Sequence, residues 1–383
     1  MEEKIPFNKP CLMGNEIKYL NQAINNGKLS GNGEFTKKCQ LFFEERYSFK
    51  KCFLTQSCTD ALEMAALLID IKPGDEVIMP SFTFVSTANA FVIRGAKIVF
   101  ADCNPDYPNI DVSKIEQLIT PATKAIVPVH YGGVGCNMEK VMGLAKQYGL
   151  YVIEDAAQAI DSYYKGKVLG GIGHLGCFSF HETKNVISGE GGMLVVNDEK
   201  LINRAEILWE KGTNRASFYR GEVQKYEWVD VGSSFLPSEL TASFLFAQLE
   251  QLDKMQSKRL LLWNRYLNSL IPLKNEGYIG LPELPECTTT NAHLFYILCR
   301  NIDERNLLLD YYINNHINAV FHYIPLHSSP MYKKLNPYES LKHCDRFSNC
   351  LIRLPLFYDL TEKQQEYIIQ KTYSFYQVEY LLN

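Results

Sequence analysis

Tyr151-Val152-Ile153-Glu154-Asp155-Ala156-Ala157-Gln158 sets a short apolar run directly against two carboxylates. Three consecutive apolar residues, two of them β-branched, favour a strand. The run does not alternate with polar residues, so both of its faces are expected to be covered, as in a parallel sheet. The same pattern recurs upstream. Cys52-Phe53-Leu54-Thr55, Asp75-Glu76-Val77-Ile78-Met79-Pro80, Lys97-Ile98-Val99-Phe100-Ala101-Asp102 and Lys124-Ala125-Ile126-Val127-Pro128-Val129-His130 each read as a strand. Helical spacing fills the intervals at Asp60–Leu68, Ser86–Arg94 and Met138–Tyr148. Strands alternating with helices predict an α/β fold around a mostly parallel sheet.

Further along, Ser238–Leu270 reads as one long helix or a broken pair, Leu294–Leu298 as a strand and Glu304–His316 as a helix. Near the start, Glu16–Asn26 reads as a helix. A chain of 383 residues suits two domains. We expect a large domain over residues 1–250 and a smaller C-terminal α+β domain over residues 251–383.

The 39 basic and 43 acidic residues leave a net charge of −4, which argues against wholesale binding to nucleic acid or an anionic membrane. Met1-Glu2-Glu3-Lys4-Ile5-Pro6 lacks the apolar core of a secretory leader, and no apolar run reaches membrane-spanning length. Eleven cysteines are scattered without a C-x-x-C pair, which suggests reduced thiols in a cytoplasmic protein and no metal site.

In open α/β sheets, ligands bind beyond the carboxyl ends of the strands. Four polar segments fall there. Ser57-Cys58-Thr59 stands between a strand and a helix, where free backbone N–H groups and the helix dipole suit a phosphate. A plain N-cap fits the same residues. Asp155 ends a buried strand and needs a cation or donor, such as a protonated pyridine nitrogen. It also suits the N-cap of a following helix. Lys184 follows Phe178-Ser179-Phe180 and precedes Gly189-Glu190-Gly191-Gly192. A lysine in so apolar a setting can lose its proton and act as a nucleophile, although most lysines are solvated surface residues. Phe84, in Pro80-Ser81-Phe82-Thr83-Phe84, can stack on a ring or simply fill core. Gly171-Ile172-Gly173-His174-Leu175-Gly176 matches G-x-G-x-x-G, but it leads into a strand rather than a helix. That context rejects dinucleotide binding, and with it an NAD-linked dehydrogenase.

At these residues the chain resembles the DegT/DnrJ/EryC1/StrS sugar aminotransferases. The likeness runs from Ile5-Pro6-Phe7-Asn8 to Leu354-Pro355-Leu356-Phe357-Tyr358. It is most specific at Pro80–Phe91, Phe178–Asn185 and Phe321-His322-Tyr323-Ile324-Pro325-Leu326-His327. The resemblance implies fold type I and pyridoxal 5′-phosphate bound to Lys184 as a Schiff base. It implies Asp155 at the pyridine nitrogen, Gln158 near the ring hydroxyl, and Phe84 stacked on the ring. Ser57, Cys58, Thr59 and Ser179 would cradle the phosphate, and His181 precedes the lysine by three residues as in similar chains.

One stretch departs from the family pattern. Many members carry G-Y-N-Y-R-M-S-E, whose Asn reaches the phosphate of the neighbouring subunit. Here Gly232-Ser233-Ser234-Phe235-Leu236-Pro237-Ser238-Glu239 puts the shorter Ser234 at that position. A site shared between subunits implies a homodimer or a higher oligomer. Ser30, Gly31, Tyr323, His327 and, from the other subunit, Arg215 are candidates for sugar-nucleotide contacts; ordinary loop packing is the alternative for each.

The nearest likeness within the family implies transfer from L-glutamate to dTDP-4-dehydro-6-deoxy-D-glucose. The products would be dTDP-4-amino-4,6-dideoxy-D-galactose and 2-oxoglutarate, in a pathway to enterobacterial common antigen or O-antigen. A gluco epimer, a 3-amino-3,6-dideoxy product and a non-catalytic pyridoxal-phosphate-binding regulator are the rival readings. Histidine replaces the lysine in related dehydratases, so Lys184 favours transamination.

Overall fold

A computed structural model describes residues 4–334 and 340–377. Met1–Glu3, at the head of the stretch read for a leader, lie outside the described residues. Twelve strands occur among those residues: β1 (Lys51–Thr55), β2 (Glu76–Pro80), β3 (Lys97–Ala101), β4 (Thr123–Ile126), β5 (Tyr151–Asp155), β6 (Tyr163–Tyr164), β7 (Lys167–Val168), β8 (Leu175–Ser179), β9 (Gly192–Val196), β10 (Phe295–Leu298), β11 (Val320–Phe321) and β12 (Leu351–Leu354). Seven of them form one sheet in the order β1-β9-β8-β5-β4-β2-β3. Neighbours from β8 to β3 pair in parallel, while β9 runs antiparallel to both β1 and β8. The expected α/β architecture with a mostly parallel sheet is therefore present.

The lone reversed strand has a local cause. Residues 180–191, which join β8 to β9, form no crossover helix, and the chain turns back on itself. Phe180 N–H donates to Gly191 O at 2.8 Å and Glu182 N–H to Gly189 O at 2.9 Å, which closes a tight loop. Lys184 lies in that loop.

Most of the expected elements match the observed ones to within a few residues. The helix Met138–Tyr148 has Asn137 capping Lys140 N–H, and it ends at Gly149 with φ 68°. Gly149 suits that left-handed stop because it has no Cβ to clash. The Ser238–Leu270 segment is the broken pair: Glu239–Leu249 and Leu252–Asn275. The helix Glu34–Tyr47 was not anticipated. It buries Phe35, Cys39 and Phe43 at its own helical spacing.

Apolar side chains cover both faces of the large sheet. A separate apolar cluster lies around the antiparallel sheet β10-β12-β11 and the helices Ile302–Asn314 and Glu362–Phe375. The helix Leu252–Asn275 serves both regions. Leu252 and Met255 pack with the large sheet, whereas Leu262, Trp263 and Tyr266 pack with the second cluster. Ile5 also packs in that second cluster, through a bridge to Ile317. All eleven cysteines are free thiols, most of them buried. Among the described residues no helix is long and apolar enough to cross a membrane.

Candidate active site

Strand register gathers the polar segments at one edge of the sheet. Gly192 pairs with both Thr55 and Ser179, and Asp155 pairs with Cys177. The ends of β1, β5 and β8 therefore lie side by side. They open into a cavity of about 750 Å³ whose wall includes Ser57, Cys58, Thr59, Phe84, Asp155, Gln158, Ser179, His181, Lys184 and Tyr323. Ten residues read from the sequence thus meet in one place.

Ser57 caps the helix Cys58–Leu68, its Oγ accepting from Asp60 N–H at 3.0 Å. The N-cap and anion-site readings describe the same turn, because Cys58 and Thr59 still face the cavity. Thr59 Oγ1 donates to Ser86 Oγ at 2.8 Å, which ties this helix start to the next helix, Val85–Val92. Gly192 packs directly beneath. A Cβ on it would lie 2.2 Å from the Ser57 carbonyl carbon and 2.4 Å from Cys58 N, closer than real atoms approach.

Asp155 is 5% exposed. Its Oδ2 accepts from Thr87 Oγ1 at 2.7 Å and its Oδ1 from Ala157 N–H at 3.1 Å. Burial raises its pKa above the ordinary 3.8; the Thr87 and Ala157 hydrogen bonds and the nearby Lys184 oppose that rise. Thr83 Oγ1 in turn lies 2.8 Å from Thr87 Oγ1. Since the Thr87 hydroxyl proton goes to Asp155, Thr83 donates to Thr87. Glu154, the adjacent carboxylate, points to the opposite face of the strand and is fully buried. It accepts from the N–H groups of Gly170, Ile172 and Gly173 at 2.6–2.8 Å and pairs with His130 Nε2 at 2.9 Å. The glycine pattern rejected as a nucleotide site is thus a cradle for an internal carboxylate.

Lys184 is half-buried in the cavity wall, and its amine makes no hydrogen bond or ion pair among the described residues. Burial lowers its pKa below the ordinary 10.5, opposed by Cys58 and Asp155 and aided by the positive charge of Arg353. Asn185 locks the loop behind it. Its Nδ2 donates to Gln256 Oε1 and Asn291 O, both at 2.8 Å, and its Oδ1 lies 2.9 Å from His293 Nδ1. Gln158 is held at both ends: Oε1 accepts from Gly132 N–H at 2.7 Å and Nε2 donates to Tyr323 OH at 3.0 Å. The Tyr323 ring stacks on His322, with centroids 3.5 Å apart. Phe84, 57% exposed, lies in the cavity wall. Ser179 Oγ accepts weakly from His181 N–H at 3.4 Å.

Five of the residues read from the sequence do not line this cavity. His327 is buried packing. Its Nδ1 lies 2.8 Å from Ser81 Oγ and its Nε2 3.2 Å from Asp345, so within one chain it forms no wall of a sugar pocket. Ser30, Gly31, Arg215 and Ser234 gather elsewhere. Gly31 packs on Leu236 and Pro237, Ser234 bridges to Glu210, and Arg215 lies 3.9 Å from Glu210 Oε2. Asn32 Nδ2 donates to the other Glu210 oxygen at 2.9 Å. Glu210 is the hub that sequence reasoning missed. Thr87, His322 and Arg353 were missed as well. Thr87 carried a signal, since it lies in Pro80–Phe91, the stretch where the resemblance is most specific.

The DegT/DnrJ/EryC1/StrS aminotransferase family model matches residues 10–372. The chain belongs to this family. It is 32% identical to the spore coat polysaccharide biosynthesis protein SpsC of Bacillus subtilis, across 96% of this chain and 95% of that one. It is 33% identical to the GDP-perosamine synthase of Escherichia coli O157:H7, across 97% and 98%. The PLP-form of Spr1654 from Streptococcus pneumoniae superposes with a TM-score of 0.89 at 25% identity, covering 98% and 99%. The cofactor of this aminotransferase is pyridoxal phosphate. The cavity fits that group on its own chemistry: an unpaired amine, a desolvated carboxylate, an exposed aromatic ring and a helix start left open by Gly192.

Proposed function

We propose that this aminotransferase moves an amino group from L-glutamate to C4 of dTDP-4-dehydro-6-deoxy-D-glucose, giving dTDP-4-amino-4,6-dideoxy-D-galactose and 2-oxoglutarate. The observation that carries the catalytic part is the convergence of an unpaired Lys184 amine and a buried Asp155 in one cavity. The sugar assignment rests on the end-to-end sequence resemblance, which is most specific at Pro80–Phe91, Phe178–Asn185 and Phe321–His327.

Lys184 would hold the cofactor, and Asp155 would stand at its ring nitrogen. Ser57, Cys58, Thr59 and Ser179 would take the phosphate, Phe84 would cover the ring, and Gln158 would stand by the ring hydroxyl. When bound, the cofactor supplies an electron sink for a carbanion. The protein supplies position and proton transfer. Asp155 Oδ, with its two hydrogen bonds and its desolvated charge, favours a protonated nitrogen beside it. Lys184 Nζ would take the proton from the donor α-carbon. Its lowered pKa leaves more of the free base available for that step. His181, half-buried at the cavity wall, and Tyr323 border the sugar. The oligomer is a homodimer, with Ser234 and Arg215 reaching the partner's site.

Incubation of the loaded protein with L-glutamate and dTDP-4-dehydro-6-deoxyglucose, followed by NMR of the product, tests the reading. An axial C4 amine is expected. A C3 amine or an equatorial C4 amine would replace it with the corresponding rival, and no product with any keto-sugar nucleotide would overturn it. Similarity to a GDP-perosamine synthase makes a GDP-linked 4-keto sugar the second substrate to assay.

A further inference from the structure

Arg353, on β12, projects into the Lys184 cavity without an acidic partner. Its Nε is buried and makes no hydrogen bond among the described residues. Other buried polar atoms also lack partners, but Arg353 is the one of those residues that lines this cavity. Its guanidinium sits over the Phe7 ring at 4.5 Å, which holds the group in place without neutralising it. Both carboxylates at the cavity are engaged elsewhere. Asp155 takes Thr87 and Ala157, while the exposed Glu190 lies 3.7 Å from His181. The neighbouring imidazoles of His293 and His322 are held toward their neutral forms by burial and by the surrounding positive charges. The cavity therefore has one permanent cation beside Lys184, and among the described residues no carboxylate pairs with it and its Nε has no partner.

A half-buried guanidinium with a buried, unpartnered Nε and no counter-charge costs stability. Such a cost is characteristic of a group kept for a ligand. We propose that Arg353 anchors the α-carboxylate of the amino-acid donor, a role that rests on the aminotransferase reading above. A donor's carboxylate is bonded directly to the carbon that loses its proton to Lys184, so it must lie deep in the same cavity. A nucleotide diphosphate is separated from the keto carbon by the sugar ring, so its charge reaches toward the mouth. A fork of N–H donors suits a planar carboxylate.

The test uses the loaded full chain as wild type, Arg353→Met and Arg353→Lys. Conversion by L-glutamate alone is followed by cofactor absorbance. Binding of maleate, an unreactive dicarboxylate, is followed by calorimetry. Arg353→Met should weaken both by roughly 10- to 100-fold, the range for a charge-assisted hydrogen-bonded pair, and Arg353→Lys should recover part of the loss. The reverse half-reaction with the keto-sugar nucleotide should keep its KM. The melting temperature of Arg353→Met should hold or rise, because an unpaired, half-buried charge is removed. Unchanged glutamate and maleate affinities would overturn the proposal. So would a loss confined to the keto sugar, which would give Arg353 to the diphosphate. If the wild type accepts glutamate but no keto sugar, the sugar reading fails while this one stands. If it reacts with no amino acid, both fail.

Discussion

Lys184 and Asp155 show how one environment sets two opposite protonation tendencies. Burial pushes each toward its neutral form, and each charge tempers the shift of the other. Lys184→Ala should abolish turnover and the absorbance of lysine-bound cofactor while leaving the fold intact; wild-type-like turnover would sink the mechanism. The lowered lysine pKa also has a thermodynamic consequence in the cofactor-free protein. Between the folded value and 10.5, the unfolded chain holds a proton that the folded chain lacks. Stability therefore rises with pH through that window, and the penalty is fully present below it. Cofactor-free Lys184→Met should melt above cofactor-free wild type at neutral pH, and the gap should close by about pH 10.5. Melts of both proteins across that range check the sign. Lys184 and Asp155 were legible as candidates because each follows an apolar, strand-like run closely, at the end where ligands bind. Arg353 was not. In Leu351-Ile352-Arg353-Leu354 it reads as the outward residue of a strand, and only the absence of a counter-charge in space distinguishes it.

At the scale of elements, the site depends on how closely β9 approaches the start of the helix Cys58–Leu68. Gly192 permits that approach. Gly192→Ala should displace the Ser57–Thr59 turn, cost about 1–3 kcal/mol from overpacking and weaken cofactor binding by about tenfold or more. Calorimetry and a cofactor titration report the two effects separately, and unchanged cofactor affinity would remove the turn from the phosphate site. A second element, the loop 170–173, exists to solvate Glu154. Glu154→Gln would set an amide N–H₂ among three backbone donors and His130, at a cost of roughly 3 kcal/mol visible as a lower melting temperature. Here the glycine pattern was legible as a motif but its partner was not. What the amides bind depends on which strand end lies beside them. The helix Glu34–Tyr47 escaped notice because Thr36 and Gln40 share its buried face with the apolar residues, and its packing partners lie far along the chain.

For the whole molecule, the instructive fact is the separation of two clusters. Most residues matched to the cofactor line the Lys184 cavity, whereas Arg215 and Ser234 meet at Glu210, and Gly31 packs on the neighbouring Leu236 and Pro237. A twofold oligomer can bring the second cluster of one subunit to the cavity of another. Mixing Lys184→Ala with Ser234→Asp tests this. If Ser234 acts across the interface, the mixed dimer contains one fully native site and regains activity that neither parent shows. If each site is built from a single chain, mixing restores nothing.

The order of strands and helices, the lysine, the carboxylate and the helix start were all determined locally. Periodicity and charge in an apolar context are short-range signals that a single sequence carries. What the glycine turn binds from within, and which arginine lacks a counter-ion, were decided only by tertiary structure. Each depends on the neighbours that strand register brings together from distant parts of the chain. Asp155 and Glu154 are adjacent in sequence, yet the two-residue period of β5 sends one toward Lys184 and the other into the protein.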